Sequence, residues 1–286
     1  MNKTLIIGEL IFDNHYVLKK IGKSLETNTP KYQIVGKTLN LGGAGFVYNI
    51  LNKINKKNLF FLTKNNKNQY FNLEDNIITI NNNENNIIKN RYWYKNKKIF
   101  QFNEDNLKKT KLGKNILSKL KLVLKKNNFN KIIVSDYNHG IVTPKLVKFL
   151  CNYCKKNNVI LFVDTQIRSV KEIKNFKYVD YFFMNTQEAE LYKRKYNLKN
   201  IKELIHLKNI KNIILKKGKL GVTMLGNSQF HIGGLKGKKV IDEAGAGDTL
   251  LAFFSHLIDK KNINLVLKKS NKEAYKVITE RKNYVR

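Results

Sequence analysis

Acidic residues are scarce in this chain of 286: 21 Asp and Glu stand against 55 Lys and Arg, a formal net charge of +34. Proline and cysteine are nearly absent, with 2 of each. Two cysteines cannot build a disulfide framework, which suits a reducing compartment. They form one C-x-x-C, Cys151 and Cys154, and no second Cys/His pair stands at ligand spacing to complete a zinc site. Both fall in an apolar-periodic stretch from Leu146 to Cys154, where positions i and i+3 share a helix face, so they read as buried core thiols. Long apolar runs are also missing. No stretch approaches the roughly 20 residues of a spanning helix. The short run after Met1-Asn2-Lys3 is interrupted by Glu9 and Asp13, so no signal peptide is expected. A cytoplasmic protein with no membrane partner is the expectation.

A shortage of acids usually signals a polyanionic partner, because a basic surface attracts phosphate backbones. Here the lysines are spread from end to end and travel with asparagine, as in Lys64-Asn65-Asn66-Lys67-Asn68 and Asn81-Asn82-Asn83-Glu84-Asn85-Asn86. That pattern fits codon drift filling exposed positions. A nucleic-acid-binding protein would focus the charge on one groove with interleaved aromatics, or carry a recognisable module. Neither is visible, and no nucleic-acid partner is expected. Hydrophobic residues make up 42% and aromatics 11%, enough for a sizeable core in one large α/β unit.

Short apolar runs rich in β-branched residues alternate with amphipathic segments. Thr4–Ile7, Asn58–Leu62, Asn76–Ile80, Lys131–Ser135, Val159–Asp164, Tyr181–Asn185 and Asn212–Leu215 read as strands. Gly43–Ile54, Leu107–Lys126, Pro144–Lys156, Thr186–Tyr196 and Ile201–Leu207 read as helices, with Pro144 suited to a first turn. Such alternation implies βαβ units and a mostly parallel sheet in a three-layer α/β/α arrangement. It breaks at Tyr16–Leu39 and at Ile87–Phe102, both strand-like and polar on one side. These two segments are expected to combine into a small β lid, formed by about 14–40 and 87–103, on a single domain covering 1–286.

Ligands of open α/β sheets sit beyond the carboxyl ends of the strands. That rule selects Asp13, Asp136, Asp164, Asn185 and the loop near Asp242. The loop reads Asp242-Glu243-Ala244-Gly245-Ala246-Gly247-Asp248-Thr249 and runs into the apolar Leu250-Leu251-Ala252-Phe253-Phe254. Small residues let the backbone turn sharply, and a helix starting there would aim the N–H groups of Ala246, Gly247 and Asp248 outward as an anion site. An aspartate in that turn is useful if it takes a proton from an attacking hydroxyl while the amides hold charge on a transferring phosphoryl group. On spacing alone, a flexible loop with Asp248 as an ordinary helix cap fits equally well.

The segment resembles the D-x-x-G-A-G-D signature of the ribokinase-like (PfkB) carbohydrate kinases, intact here from Asp242 to Asp248. Gly8-x-x-x-x-Asp13 is similar to the family's first strand and its sugar-binding aspartate, and Asn40-Leu41-Gly42-Gly43-Ala44-Gly45 to its glycine pair. Asn185-x-x-Glu188 resembles the N-x-x-E that organises magnesium and phosphate. Gly218-x-x-Gly221 falls where the nucleotide loop belongs. Ser135-Asp136-Tyr137-Asn138-His139-Gly140 resembles the S-D-Y-G-K-G of bacterial D-glycero-β-D-manno-heptose 7-phosphate kinases, which also carry an arginine at the place of Arg91. Only the kinase half of those enzymes is matched.

The resemblance implies an ATP-dependent kinase using Mg2+, with Asp248 as catalytic base and Gly245, Ala246 and Gly247 as the anion hole. Asp13, Gly42, Gly43, Arg91 and Asp136 would hold the sugar or sugar-phosphate substrate. Asn185, Glu188, Lys216, Gly218, Gly221, Asp242 and Asn271 would serve the nucleotide, with Asn185 and Glu188 reaching the metal through water. A homodimer paired through the lid is a further implication. The sequence departs from the pattern at Phe46, where a sugar-binding Asn is usual, and at His139 and Gln166, where lysines are usual. The tail after Asn271 is short and lacks a Gly/Ala-rich helix to close the adenine pocket. These departures keep open a nucleoside or vitamin kinase of the same fold and a non-catalytic homologue; the charge keeps open a basic nucleic-acid-binding protein.

Overall fold

Apolar runs without polar alternation must be covered on both faces, and they decide the architecture. Ile132, Ile133 and Val134, Phe182 and Phe183, and Ile213 and Ile214 are all buried, which only a sheet sandwiched between helices permits. The computed structural model describes residues 3–54, 58–65, 76–81, 86–104, 113–259 and 262–280. Strand β1 (Lys3–Gly8) continues through Glu9 into the long β2 (Leu10–Lys23), which turns back as β3 (Pro30–Gly43) and leads into α1 (Ala44–Ile54). Next come β4 (Leu59–Asn65), β5 (Ile77–Asn81), the hairpin β6 (Ile87–Tyr94) and β7 (Lys97–Glu104), and α2 (Gly113–Lys126). Then follow β8 (Phe129–Asp136), α3 (Pro144–Asn157), β9 (Ile160–Thr165), β10 (Tyr181–Asn185), α4 (Thr186–Tyr196), α5 (Glu203–Lys208) and β11 (Asn212–Lys216). The last described elements are β12 (Val222–Leu225), β13 (Phe230–Ile232), α6 (Ala246–Leu257) and α7 (Ile263–Thr279).

Nine strands make one sheet in the order β13-β12-β11-β10-β9-β8-β1-β4-β5. Pairing is parallel from β11 across to β5, and β12 and β13 add antiparallel at the other edge. Successive residues point to opposite faces. Ile132, Val134, Phe182 and Ile213 therefore pack with Ile116, Leu146, Leu150 and Tyr192 of α2, α3 and α4. Ile133, Phe183 and Ile214 pack with Val47, Leu251, Phe254 and Val266 of α1, α6 and α7. The order reverses at β1, which lies between β4 and β8. A crevice at that switch point is where such sheets bind ligands.

The second sheet has four strands, ordered β3-β2-β6-β7. Because β2 prolongs β1, this sheet stands over the carboxyl edge of the large one. Register pairs Asp13 with Lys89 and His15 with Arg91, so these four residues share one face. The opposite face carries Tyr16 stacked on Tyr92, with Phe100 beside it.

The fold class is the one expected, but several elements differ. The segment Tyr16–Leu39, expected as strand, does form parts of two long strands of the small sheet, β2 and β3. The described part of the helix expected over Leu107–Lys126 begins at Gly113; its first residues lie outside the described ones. Strands β12 and β13, of 4 and 3 residues, were not anticipated. Nor was α7, 17 residues long, which has Asn271 at its middle. Cys151 and Cys154 are free, buried thiols of α3, as expected. No described helix is long and apolar enough to cross a membrane.

Candidate active site

The Gly-Ala-Gly-Asp turn does open a helix. Gly245 sits before α6 with φ of 83°, a left-handed conformation costly for any residue with a Cβ, and Asp248 lies in the first turn. Thr249 ties the turn back, its backbone N–H and its Oγ1 both donating to the Gly245 carbonyl at 2.9 and 2.7 Å. The Ala246 N–H points back to the Glu243 carbonyl at 3.4 Å. The amides of Gly247 and Asp248 belong to the first turn, whose N–H groups lack partners within the helix.

Asp248 meets charge from several elements. The Tyr137 hydroxyl donates to its carboxylate, 2.7 Å from Oδ1 and 2.8 Å from Oδ2. Burial raises the Asp248 pKa to about 7; Tyr137 pulls it down, Asp164 pushes it up, and Lys216 and Lys89 pull it down. Lys216, at the end of β11, donates to both oxygens of Asp164 at 2.8 and 2.7 Å. Burial alone would lower the Lys216 pKa, but Asp164 and Glu188 outweigh it and raise it. A Cβ on Gly247 would come within 3.3 Å of the Lys216 ammonium, so the missing side chain lets that cation lie against the helix start.

Beside them the loop after β8 is clamped. Glu9 Oε2 accepts the Tyr137 N–H at 2.8 Å and Oε1 accepts the Ile141 N–H at 3.2 Å. Burial and the charge of Asp136 raise Glu9 to about 7, against the pull of those donors and of Lys174. Asp136 is fully enclosed and paired with Lys174. The small sheet contributes Arg91, whose Nε donates to Asp13 Oδ1 at 2.7 Å and whose Nη1 reaches Gln101 Oε1 at 3.2 Å. Burial works to raise Asp13, but hydrogen bonds from His15 and Arg91 prevail and hold it below the usual carboxylate range. Lys89 is half-buried with its ammonium 5.8 Å from the Tyr137 ring centre. Burial and the nearby Arg91 lower its pKa, with Arg168 adding to the same effect. Gly42 lies opposite Ile11 in β3. Gly43 has φ of 62°, and a Cβ there would sit 2.7 Å from the Glu9 carbonyl oxygen.

A cavity of about 930 Å³ opens on the other side of Asp248. Of the residues singled out from sequence, Asp136, Asn185, Glu188, Lys216, Gly218, Gly221, Asn271 and the run Gly245–Asp248 line it. Ala274, Tyr275 and Ile278 of α7 complete its wall. Asp13, Gly42, Gly43 and Arg91 are grouped on and beneath the small sheet instead. Asp242, expected to face the nucleotide, turns elsewhere: its Oδ1 accepts the Ala244 N–H at 3.3 Å and its Oδ2 lies 3.6 Å from Lys98 of β7. Asn271 spends its amide on the Gly233 carbonyl at 3.2 Å.

Asn185 and Glu188 form a reciprocal capping box at the start of α4, at 2.8 and 2.7 Å. Among the described residues no group of three or more His, Cys, Asp or Glu could cage a metal. The carboxylate of Glu188 on the cavity wall fits a magnesium ion that keeps its waters and is held mainly by phosphates. Sequence reasoning missed Glu9, Lys89, Tyr137 and Lys174. Lys89 was open to detection, since it stands two residues before Arg91 in an alternating strand.

The sheet, layered between helices, carries this glycine-aspartate turn on its carboxyl edge. The profile described as pfkB family carbohydrate kinase matches residues 52–283. The chain belongs to that family, the pfkB carbohydrate kinases, which are phosphotransferases with an alcohol group as acceptor. It is 24% identical over 290 residues to the bifunctional protein HldE of Campylobacter curvus, covering 96% of this chain and 61% of that protein. It is 25% identical over 271 residues to HldE of Campylobacter jejuni strain RM1221, covering 87% and 55%. The chain thus spans a little over half the length of these relatives. Among solved structures, Arabidopsis thaliana ribokinase complexed with ribose and ATP matches at TM-score 0.66 with 13% identity, over 97% of this chain and 93% of the other. Ligand-free Burkholderia thailandensis nucleoside kinase matches at TM-score 0.71 with 13% identity, over 99% and 96%.

Proposed function

We propose that the chain is an ATP-dependent kinase whose acceptor is a sugar phosphate, with heptose 7-phosphate the first compound to test. The observation that carries this reading is the crowding of Lys89, Arg91 and Arg168 near Asp13 and Asp248. Three cations stand around two carboxylates; burial, then Arg91 and to a lesser degree Arg168, lower the pKa of Lys89 against the pull of Asp13 and Asp248. A phosphate ester brought beneath the small sheet would supply the missing negative charge, through the hydrogen bonds guanidinium and ammonium groups make best. The resemblance of Ser135–Gly140 to the heptose 7-phosphate kinases agrees with this.

In the proposed reaction the small sheet acts as a lid over the acceptor, within one kinase domain. Asp13 orients sugar hydroxyls, with Gly42 and Gly43 leaving room for close approach and Asp136 shaping the loop beneath. ATP lies in the cavity between Gly218, Gly221 and α7. Asp248 takes the acceptor's hydroxyl proton as that oxygen attacks the γ-phosphorus in line, and ADP leaves. The amides at the start of α6 and the Lys216 ammonium stabilise the charge that develops on the phosphoryl oxygens. Magnesium, oriented through water by Asn185 and Glu188, would supply further neutralisation of the phosphates. A homodimer would cover the outer face of the small sheet, where Phe100 and Phe102 are 58% and 52% exposed.

The test is ADP release with Mg-ATP against heptose 7-phosphate, other sugar phosphates, free sugars and nucleosides. A strong response confined to phosphorylated sugars is expected. A response to free sugars or nucleosides alone would overturn the acceptor class, and binding of ATP with no response to any would overturn the panel's premise.

A further inference from the structure

The carboxylate of Asp248 already has a partner, the Tyr137 hydroxyl, at 2.7 Å from Oδ1 and 2.8 Å from Oδ2. The two residues are 111 positions apart, so the fold and not the local sequence makes this contact. The loop that carries Tyr137 is restrained along its length. One carboxylate, Glu9, accepts N–H groups from both Tyr137 and Ile141. Asp136 accepts the Asn138 N–H at 2.9 Å, where the backbone turns left-handed with φ of 63°. Lys174 joins Asp136 to the Asn138 side chain, the latter at 3.0 Å. A phenyl ring would fill the same space, so the hydroxyl is what this construction aims.

We propose that Tyr137 is a positioning residue for Asp248: its phenol keeps the carboxylate aimed and ionised, and yields one oxygen to the acceptor hydroxyl when that group arrives. The inference deepens the reading of Asp248 as proton acceptor and rests on it. Four groups face Asp248: Tyr137 from the loop after β8, Asp164 from β9, Lys216 from β11 and Lys89 from β6. Burial and Asp164 favour a protonated, idle acid, whereas Tyr137, Lys216 and Lys89 favour the charged base. Tyr137 itself stays neutral, because burial and then the Asp248 charge push its phenol well above the ordinary value. It therefore donates without taking a charge. No bond to Tyr137 is made or broken in the reaction; the acceptor's proton passes to Asp248 as its oxygen joins phosphorus.

The decisive test needs no acceptor. The full chain, labelled with 13C at aspartate Cγ, is titrated by NMR as wild type and as Tyr137→Phe, with Asp248→Asn identifying the Asp248 signal. The phenylalanine keeps the ring beneath Lys89. Loss of a hydrogen bond to a charged group should raise the Asp248 midpoint by about one pH unit or more. Coinciding curves would overturn the proposal while leaving the kinase reading intact. In turnover assays the acid limb of kcat/KM should move up by the same interval and the rate recover at high pH. A loss equal at every pH would mark Tyr137 as merely structural and sink the proposal. Full turnover in Asp248→Asn would remove the base reading, and this inference with it.

Discussion

The two sides of Asp248 are built differently. Toward α7 the chain leaves an open cavity of about 930 Å³, walled by glycine loops, the start of α6 and the Asp164–Lys216 pair. Toward the small sheet, polar groups are already bonded to one another: Arg91 to Asp13 at 2.7 Å and the Trp93 ring N–H to His15 at 2.9 Å. A preformed cavity admits its ligand at little cost in rearrangement. A knitted face must exchange internal bonds for substrate bonds, so an acceptor lacking the matching hydroxyls or anion leaves buried groups unpaired. Selectivity is therefore expected on the small-sheet side and tolerance on the other.

The largest effect should come from the residue both sides share. Asp248→Asn is expected to lower kcat by about 10²–10⁴ while changing ATP affinity only slightly, because a base is removed without disturbing the cavity. Turnover and nucleotide titration together check this; near-normal kcat would end the assignment. In the wild type the rate should rise with pH through about 7, since only the ionised carboxylate accepts a proton and burial, foremost, holds that group near 7. A flat profile between pH 6 and 8, limits set by about one unit around that value, would contradict it.

Sharper for the comparison is Arg91→Ala. One charge-assisted bond is worth roughly 1.5–3 kcal/mol, so KM for a phosphorylated acceptor should rise about 10- to 100-fold. KM for ATP should stay put. Lys89→Ala should act in the same direction and more weakly, as its charge is already disfavoured by burial and Arg91. Equal changes for both substrates would erase the distinction between the two sides.

What could be read without coordinates follows the same division between local and distant causes. Strands β8 to β11 were legible because each is a nearly unbroken apolar run, and α4 because Asn185 and Glu188 stand at capping-box spacing. Strand β12 and β13 are too short to set up a period against Gly226-Asn227-Ser228. Helix α7 buries Val266, Leu267, Ser270 and Ala274 at helical spacing, yet four lysines and two asparagines between Ile263 and Thr279 dilute the stripe. The anion turn was legible because its residues are consecutive. The partners of its aspartate were not: Tyr137 and Lys216 reach Asp248 and Asp164 only through strand order, across 111 and 52 positions.

The smallest effect concerns Glu9, the carboxylate beneath both sides. Burial, then the charge of Asp136, raises its pKa to about 7, above the ordinary value of a glutamate in the unfolded chain, which is about 4.3. The folded protein thus holds this proton more tightly than the unfolded one. The associated stability is fully present below about pH 4.3 and is lost as pH rises through about 7. Total charge works the other way: with +34 already present, acid adds positive charge and self-repulsion. The wild-type melting curve mixes both trends, so the informative quantity is a difference. Glu9→Gln carries no titrating proton, and its amide oxygen can still accept from the loop. Between pH 5 and pH 8, limits set about that shift, wild-type Tm should fall relative to Glu9→Gln by a few degrees, since about 1 kcal/mol moves Tm by about 2–4 °C in a domain near this size. Parallel curves would mean that Glu9 titrates alike in both states, and that the clamp on the Tyr137 loop is held by a carboxylate already charged.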